Sequence, residues 1–180
     1  YDGKATLEFD LGIRKVLESI KAQYNNKLKV TTRFDDILEA PDIDAVVVAT
    51  LPQTHAHFAV KALSSGKHVF VEKPLSLDIT DAEKMIKAAE TNKRLLMVGH
   101  LLLYHPAVRK LKGYIEQGYL GDVYYLYSTR VNLGQVREIE NALWSLTAHD
   151  ISVAMYLLNK KPLKVAATGK AYLRKNIQDV

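Results

Sequence analysis

Between residues 44 and 118 the apolar positions alternate between two rhythms. The run Asp44-Ala-Val-Val-Val-Ala-Thr50 is β-branched and bounded by polar residues, which predicts a buried strand. Leu51-Pro52 then turns the chain, and Phe58, Ala59, Ala62 and Leu63 recur at helical spacing. Gly66 is placed to close that helix as a left-handed cap. A second short apolar run, Val69-Phe-Val71, stops abruptly at Glu72, Lys73 and Pro74. Pro74 lacks an N–H and biases the residue before it to extended geometry, so it ends the strand and helps aim Lys73. Ala82, Met85, Ile86 and Ala89 predict a helix over 79–90, with Thr80 and Glu83 as a capping box. A strand over 95–98 follows and ends at Gly99-His100. Pro106 then opens a helix carrying Val108, Leu111 and Ile115, with Gly118 at its end. Three β–α repeats in succession predict an α/β fold with a doubly wound parallel sheet, its crossovers right-handed.

The flanks read differently. Ile13, Val16, Leu17 and Ile20 predict a helix over 13–24, and residues 28–32 a short strand. Phe34, Ile37 and Leu38 predict a short amphipathic helix that stops before Pro41. After Gly121 the pattern lengthens. Residues 122–131 are Tyr-rich and partly alternating, as in a sheet with one less buried face. Residues 138–159 read as mostly helical, with Ile151, Ala154, Met155 and Leu158 on one stripe, and 163–173 as another strand. The change of style places a domain boundary near 119–121, dividing 1–120 from 121–180.

Composition narrows the classes. The chain has 180 residues, 48% of them hydrophobic, enough to build a sizeable core. No cysteine is present, which excludes disulfides, thiolate zinc sites and a cysteine nucleophile, and suits a reducing cytoplasm. No stretch approaches the length of apolar sequence that crosses a membrane. The formal net charge is +5, but the 25 Lys and Arg are scattered. A nucleic-acid surface would cluster them, so scattered charge points to a solvated surface. His55-Ala-His57 offers two imidazoles, an incomplete metal site.

The candidate chemistry sits where the strands end, which is where ligands bind in open α/β sheets. Four stretches carry it: Ala49-Thr50-Leu51-Pro52-Gln53-Thr54-His55, Gly66-Lys-His-Val-Phe-Val-Glu-Lys-Pro74, Val98-Gly99-His100 and Leu146-Thr-Ala-His149-Asp150. In this order and spacing they resemble the Gfo/Idh/MocA family of NAD(P)-dependent oxidoreductases. Arg130-Val-Asn132-Leu-Gly134 and Trp144 further resemble the branch acting on nucleotide-linked sugars. The resemblance runs from about residue 29 to the end. It implies a partial Rossmann-type dinucleotide-binding domain over 1–120. The start of an α/β substrate and oligomerisation domain would follow over 121–180. It also implies hydride transfer between a nicotinamide cofactor, NAD or NADP, and a ring carbon of a sugar or nucleotide-linked sugar.

Carried over by the resemblance, His149 is the base that takes the hydroxyl proton and Lys73 holds the reacting oxygen. Glu72, Thr50, Pro52, His55 and Pro74 line the cofactor, with Lys73 beside it. Asp2 is aligned with the acidic residue that binds the adenosine ribose, and Arg130 and Asn132 with substrate-contacting positions. Partners implied are a small-molecule sugar and further copies of the chain, with no nucleic acid and no membrane.

Two departures qualify the resemblance. Ser145 stands where many family members carry an aspartate four residues before the catalytic histidine. The nine glycines lie at 3, 12, 66, 99, 113, 118, 121, 134 and 169, no two of them two apart, so the G-x-G-x-x-G phosphate cradle is absent from these residues. The sequence therefore reads as an internal fragment of such an enzyme. The competing readings are a non-catalytic relative and an NAD-dependent glycosidase, which would show no net NADH accumulation.

Overall fold

A computed structural model describes residues 29–131 and 140–180, together with positions 19, 22 and 23. The chain divides into two compact units, Tyr1–Ile43 and Asp44–Val180. In the first unit, positions 19, 22 and 23 are helical and fall within the predicted 13–24 helix. The predicted short strand is not found among the described residues: 29–33 form irregular backbone that joins no ladder. Helix α1, Phe34–Glu39, stops before Pro41 as expected, with Asp35 and Asp36 in its first turn, where the helix dipole favours negative charge.

The second unit is built on three strands, β1 (Ala45–Val48), β2 (His68–Val71) and β3 (Leu96–Val98). They pair in parallel in the order β1-β2-β3, with Val48 opposite Val71 and Val71 opposite Val98. That register aligns the three carboxyl ends along one edge. Helix α2 (His55–Ser64) joins β1 to β2, and α3 (Ile79–Asn92) joins β2 to β3. The two helices pack on each other and on the same side of the sheet, as consecutive crossovers of one hand require.

Between sheet and helices lies the core: Val46, Val48, Val69 and Val71 from the strands, Ala59, Ala62 and Leu63 from α2, Met85 and Ala89 from α3. Leu63 and Met85 are fully buried, each contributing about 1.5–3 kcal/mol by leaving water. The opposite face is open among the described residues: Val47 is 69% exposed and Met97 also lies in solvent. The strands thus alternate buried and exposed rather than being covered on both faces, although their continuous apolar composition suits a doubly covered sheet.

Gly66 closes α2 with a φ of +80°, and Gly118 follows α4 (Pro106–Glu116) with a φ of +76°. Both adopt the left-handed conformation, which the sequence pattern assigns to Gly66, and Gly118 ends its helix as expected. The start of α3 differs from expectation. Its cap is Asp78, whose carboxylate accepts from the Asp81 N–H at 3.2 Å, so Thr80 already lies inside the helix. An ionised carboxylate is at least as good an N-cap as a threonine hydroxyl, and Asp78 is held by its own N–H donating to Ser76 Oγ. Ile86, expected on the apolar stripe, is exposed.

Helix α5 (Ala148–Leu158) is preceded by a π-helical turn, Leu143–Thr147, and packs on α4. Lys112 of α4 donates to the Leu157 carbonyl at 3.2 Å. The predicted boundary at 119–121 lies within this second unit. The strands expected over 122–131 and 163–173 do not form: both segments are exposed and outside any ladder. Alternating apolar residues are necessary for a half-buried strand, but pairing completes it. Replacing Leu63 with Ala should cost about 2–5 kcal/mol of stability, measured by urea unfolding of the 180-residue chain. A loss under about 1 kcal/mol would show that the α2–sheet interface is not the core.

Candidate active site

The aligned carboxyl ends place three short segments side by side: Thr50-Leu51-Pro52 after β1, Glu72-Lys73-Pro74 after β2 and Gly99-His100 after β3. The ladder continues into them, with Glu72 N–H donating to the Val48 carbonyl and Gly99 N–H to that of Val71. A side chain at Gly99 would meet Phe70 at 3.1 Å and Glu72 Oε2 at 3.2 Å. The absence of a Cβ therefore lets the Glu72 carboxylate lie across β3, where it also accepts from the Lys73 N–H at 3.2 Å.

His55 locks this edge together. The resemblance sets it against the cofactor, but the ring is turned inward and only 1% exposed. Its Nδ1 contacts the Pro74 carbonyl at 2.9 Å and its Nε2 the Thr50 carbonyl at 3.1 Å. A neutral imidazole donates to one of these carbonyls and a cationic one to both. Either way the residue ties the turn after β1 to the turn after β2. Thr50 Oγ1 pairs with Thr54 Oγ1 at 2.7 Å, and Pro52 begins the 3₁₀ turn Pro52–Thr54 that feeds α2. With His55 so occupied, the pair His55 and His57 has no free imidazole at its first member, and no cluster of metal ligands occurs among the described residues.

Lys73 leaves this edge and reaches the π-helical turn ahead of α5, where Nζ donates to the Ser145 carbonyl at 3.0 Å. His149 stands four residues further on, close enough for the Lys73 charge to act on it. Burial, then the Lys73 ammonium, then Arg130 and His100 push the His149 imidazole below its usual value of 6.5, with Asp150 pulling weakly the other way. Its Nδ1 is buried and has no hydrogen-bond partner among the described residues. At neutral pH the ring is therefore uncharged, as a proton acceptor must be. The folded ring binds a proton less readily than the unfolded one. Its contribution to stability is present above the ordinary histidine range and is lost as pH falls toward the folded value.

Arg130 meets Asp150 in a two-pronged ion pair, Nε to Oδ2 at 2.8 Å and Nη2 to Oδ1 at 3.0 Å. Ser128 Oγ donates to the same carboxylate at 3.0 Å. The Arg130 guanidinium, first by its hydrogen bond, holds the Asp150 carboxyl below the usual carboxylate range. Its planar fork is thus engaged in fixing the first turn of α5, the turn that carries His149. Lys73, His149, Arg130, Asp150 and His100 form one neighbourhood. Asp2 and Asn132 lie outside the described residues. The sequence motif includes Asp150 but assigns it no role, and the Ser145 carbonyl is a group that no side-chain pattern can reveal.

Next to this neighbourhood opens a cavity of about 660 Å³, with largely apolar walls. Pro74, Ile79, His100, Trp144, Ala148 and Met155 are among the residues lining it. Ile151 and Met155, predicted as a packing stripe, face this space and are partly exposed.

A parallel βαβαβ sheet with polar residues gathered at its carboxyl edge is the arrangement of the Rossmann-like α/β proteins, which bind ligands at that edge. Residues 13–100 match the profile of the Gfo/Idh/MocA oxidoreductases, described as an oxidoreductase family with an NAD-binding Rossmann fold, and the chain belongs to that family. An uncharacterised oxidoreductase of Streptococcus pneumoniae is 30% identical over 150 residues, 78% of this chain and 41% of the relative. The myo-inositol 2-dehydrogenase of Thermotoga maritima is 28% identical over 173 residues, 92% of this chain and 52% of the relative. Among solved structures, yvaA of Bacillus subtilis, assigned as an oxidoreductase, superimposes with a TM-score of 0.75 at 27% identity, over 90% of this chain and 48% of that one. The chain spans about half the length of these relatives or less.

Such a cofactor binds at the carboxyl edge of an open α/β sheet. Glu72 is braced over Gly99, and the Thr50-Leu51-Pro52 turn stands at the same edge. The described glycines 66, 99, 113, 118, 121 and 169 include no phosphate-cradling pair. Because the Lys73 charge lowers the His149 pKa, Lys73→Met should raise the titration midpoint of the His149 ring, followed by its NMR signal against pH. An unchanged midpoint would mean that the two groups do not share a site.

Proposed function

We propose that the whole protein is a nicotinamide-dependent dehydrogenase that oxidises a ring hydroxyl of a sugar or cyclic polyol, nucleotide-linked sugars included. The observation that carries the reading is the convergence of an ammonium from the end of β2 and an uncharged imidazole from the first turn of α5. NAD(P), when bound, supplies the hydride acceptor. Glu72 and the turn of Thr50 and Pro52 hold the nicotinamide end of that cofactor, braced from behind by His55 and Pro74.

Lys73 donates a hydrogen bond to the reacting hydroxyl oxygen while keeping its bond to the Ser145 carbonyl, since an ammonium carries three donors. Its fixed positive charge stabilises the oxygen as negative charge develops there, in a site preorganised by the bond to Ser145. His149 accepts the hydroxyl proton, since burial and the neighbouring cations keep it uncharged at neutral pH. Asp150, clamped by Arg130 and Ser128, keeps the imidazole in place and puts a negative charge beside the ring as it becomes cationic. That carboxylate partly fills the electrostatic role left open by Ser145.

The inositol dehydrogenases among the relatives support a cyclic polyol as a first substrate to try. In the whole protein, Lys73→Met should cut turnover about 10²-fold or more, read as NADH formation with myo-inositol and with a UDP-linked sugar acid. Near-normal rates in that variant would defeat the assignment of Lys73.

A further inference from the structure

The turn that presents the Ser145 carbonyl to Lys73 is held by residues to which the reaction proposed above gives no task. The helical run that ends in α5 begins at Ala142, and Asn141 stands just ahead of it. Asn141 caps that run: its Oδ1 accepts from the Trp144 N–H at 3.1 Å, and its carbonyl accepts from the Ser145 N–H at 3.1 Å. The Ala142 N–H donates to the Gln178 carbonyl at 2.8 Å, and Asn141 Nδ2 to Gln178 Oε1 at 3.5 Å. Two of the N–H groups that a helix start leaves without internal partners are thereby satisfied. Gln178 is itself fixed. The Asp179 carboxylate accepts from the Tyr172 and Leu173 N–H groups, and the Lys170 carbonyl accepts from the Asp179 and Val180 N–H groups. A Cβ at Gly169 would lie 3.0 Å from the Val180 carbonyl oxygen, so a glycine there lets residues 169–180 close on themselves.

We infer that Asn141 is a positioning residue for Lys73: by capping the turn and tying it to Gln178, it fixes the Ser145 carbonyl where the ammonium meets it. For its effect on turnover the inference rests on the dehydrogenase reading and deepens it. Asn141 acts through Lys73 and sets where that charge stands relative to His149. Beyond burial, the groups acting on the His149 ring are Lys73, Arg130, His100 and Asp150. Of these, Lys73 is bonded to the capped turn, while Arg130 and Asp150 are engaged with each other. Loosening the turn therefore reaches His149 through the ammonium. It misplaces a group that acts on the reacting oxygen, so its cost appears in kcat more than in KM.

The test uses the whole protein and follows the His149 ring by NMR against pH. Asn141→Ala removes a cap worth about fivefold in the equilibrium of a helix start. It should raise the His149 midpoint, the same direction as Lys73→Met. In the Lys73→Met background it should move the midpoint no further. Asn141→Ser, whose hydroxyl also caps, should restore most of the wild-type midpoint. With NAD and myo-inositol, Asn141→Ala should lower kcat about fivefold or more with KM within about twofold. An unmoved midpoint, an equal shift in the Lys73→Met background, or kcat within about twofold of wild type overturns the inference and leaves Asn141 a helix cap alone. If Asn141→Ala fails to fold, Lys73→Met decides by reciprocity. Its Trp144 amide, which donates to Asn141, should then exchange with solvent about threefold faster or more than in wild type, and unchanged exchange overturns the inference. If the wild-type protein oxidises neither myo-inositol nor a UDP-linked sugar acid, the dehydrogenase reading falls, and the titrations still decide whether Asn141 positions Lys73.

Discussion

The hydrogen bond from Lys73 Nζ to the Ser145 carbonyl joins the two sources of chemistry in this chain. One partner is fixed by the sheet, the other by the turn that launches α5. In a continuous α-helix the Ser145 carbonyl would be occupied by the N–H four residues on, which belongs to His149. Ser145 lies inside the π-helical turn over Leu143–Thr147, where the backbone departs from the regular α pattern, and its carbonyl accepts from the Lys73 ammonium. That bond holds Lys73 beside the helix that carries His149. The cation lowers the basicity of that imidazole and keeps it ready to accept a proton.

Everything on the sheet side serves to place Lys73. Parallel register aligns the ends of β1, β2 and β3, so residues far apart in sequence emerge along one edge. His55 then ties the turn after β1 to the turn after β2 through two backbone carbonyls, and Gly99 makes room for the Glu72 carboxylate. On the helix side, the Arg130–Asp150 pair and Ser128 fix the first turn of α5. Two sets of constraints, each built on burial and directed hydrogen bonds, therefore meet at one pair of side chains.

The three β–α repeats were legible because period and punctuation agreed. Valine-rich runs, helical stripes and the glycines at 66 and 118 all pointed to the same elements. The same residues misled where a pattern needs a distant partner to act. Residues 122–131 and 163–173 carry the alternation of strands but join no ladder, and Thr80 lost the capping position to Asp78, two residues earlier. At the site, Lys73 and His149 stood out through their motifs. The roles of His55, Asp150 and the Ser145 carbonyl depend on which way a ring or a backbone group turns, and residue type does not record that. Arg130 was visible as a candidate, but its engagement with Asp150 became clear only from the geometry.

The dependence of kcat/KM on pH in the whole protein tests most directly whether His149 is the proton acceptor held uncharged by burial and by Lys73. The rate should fall on the acid side as the imidazole takes up a proton, with a midpoint below 6.5, and that limb should disappear in His149→Ala. An acid limb centred above 6.5, or one that persists unchanged in His149→Ala, would contradict the assignment.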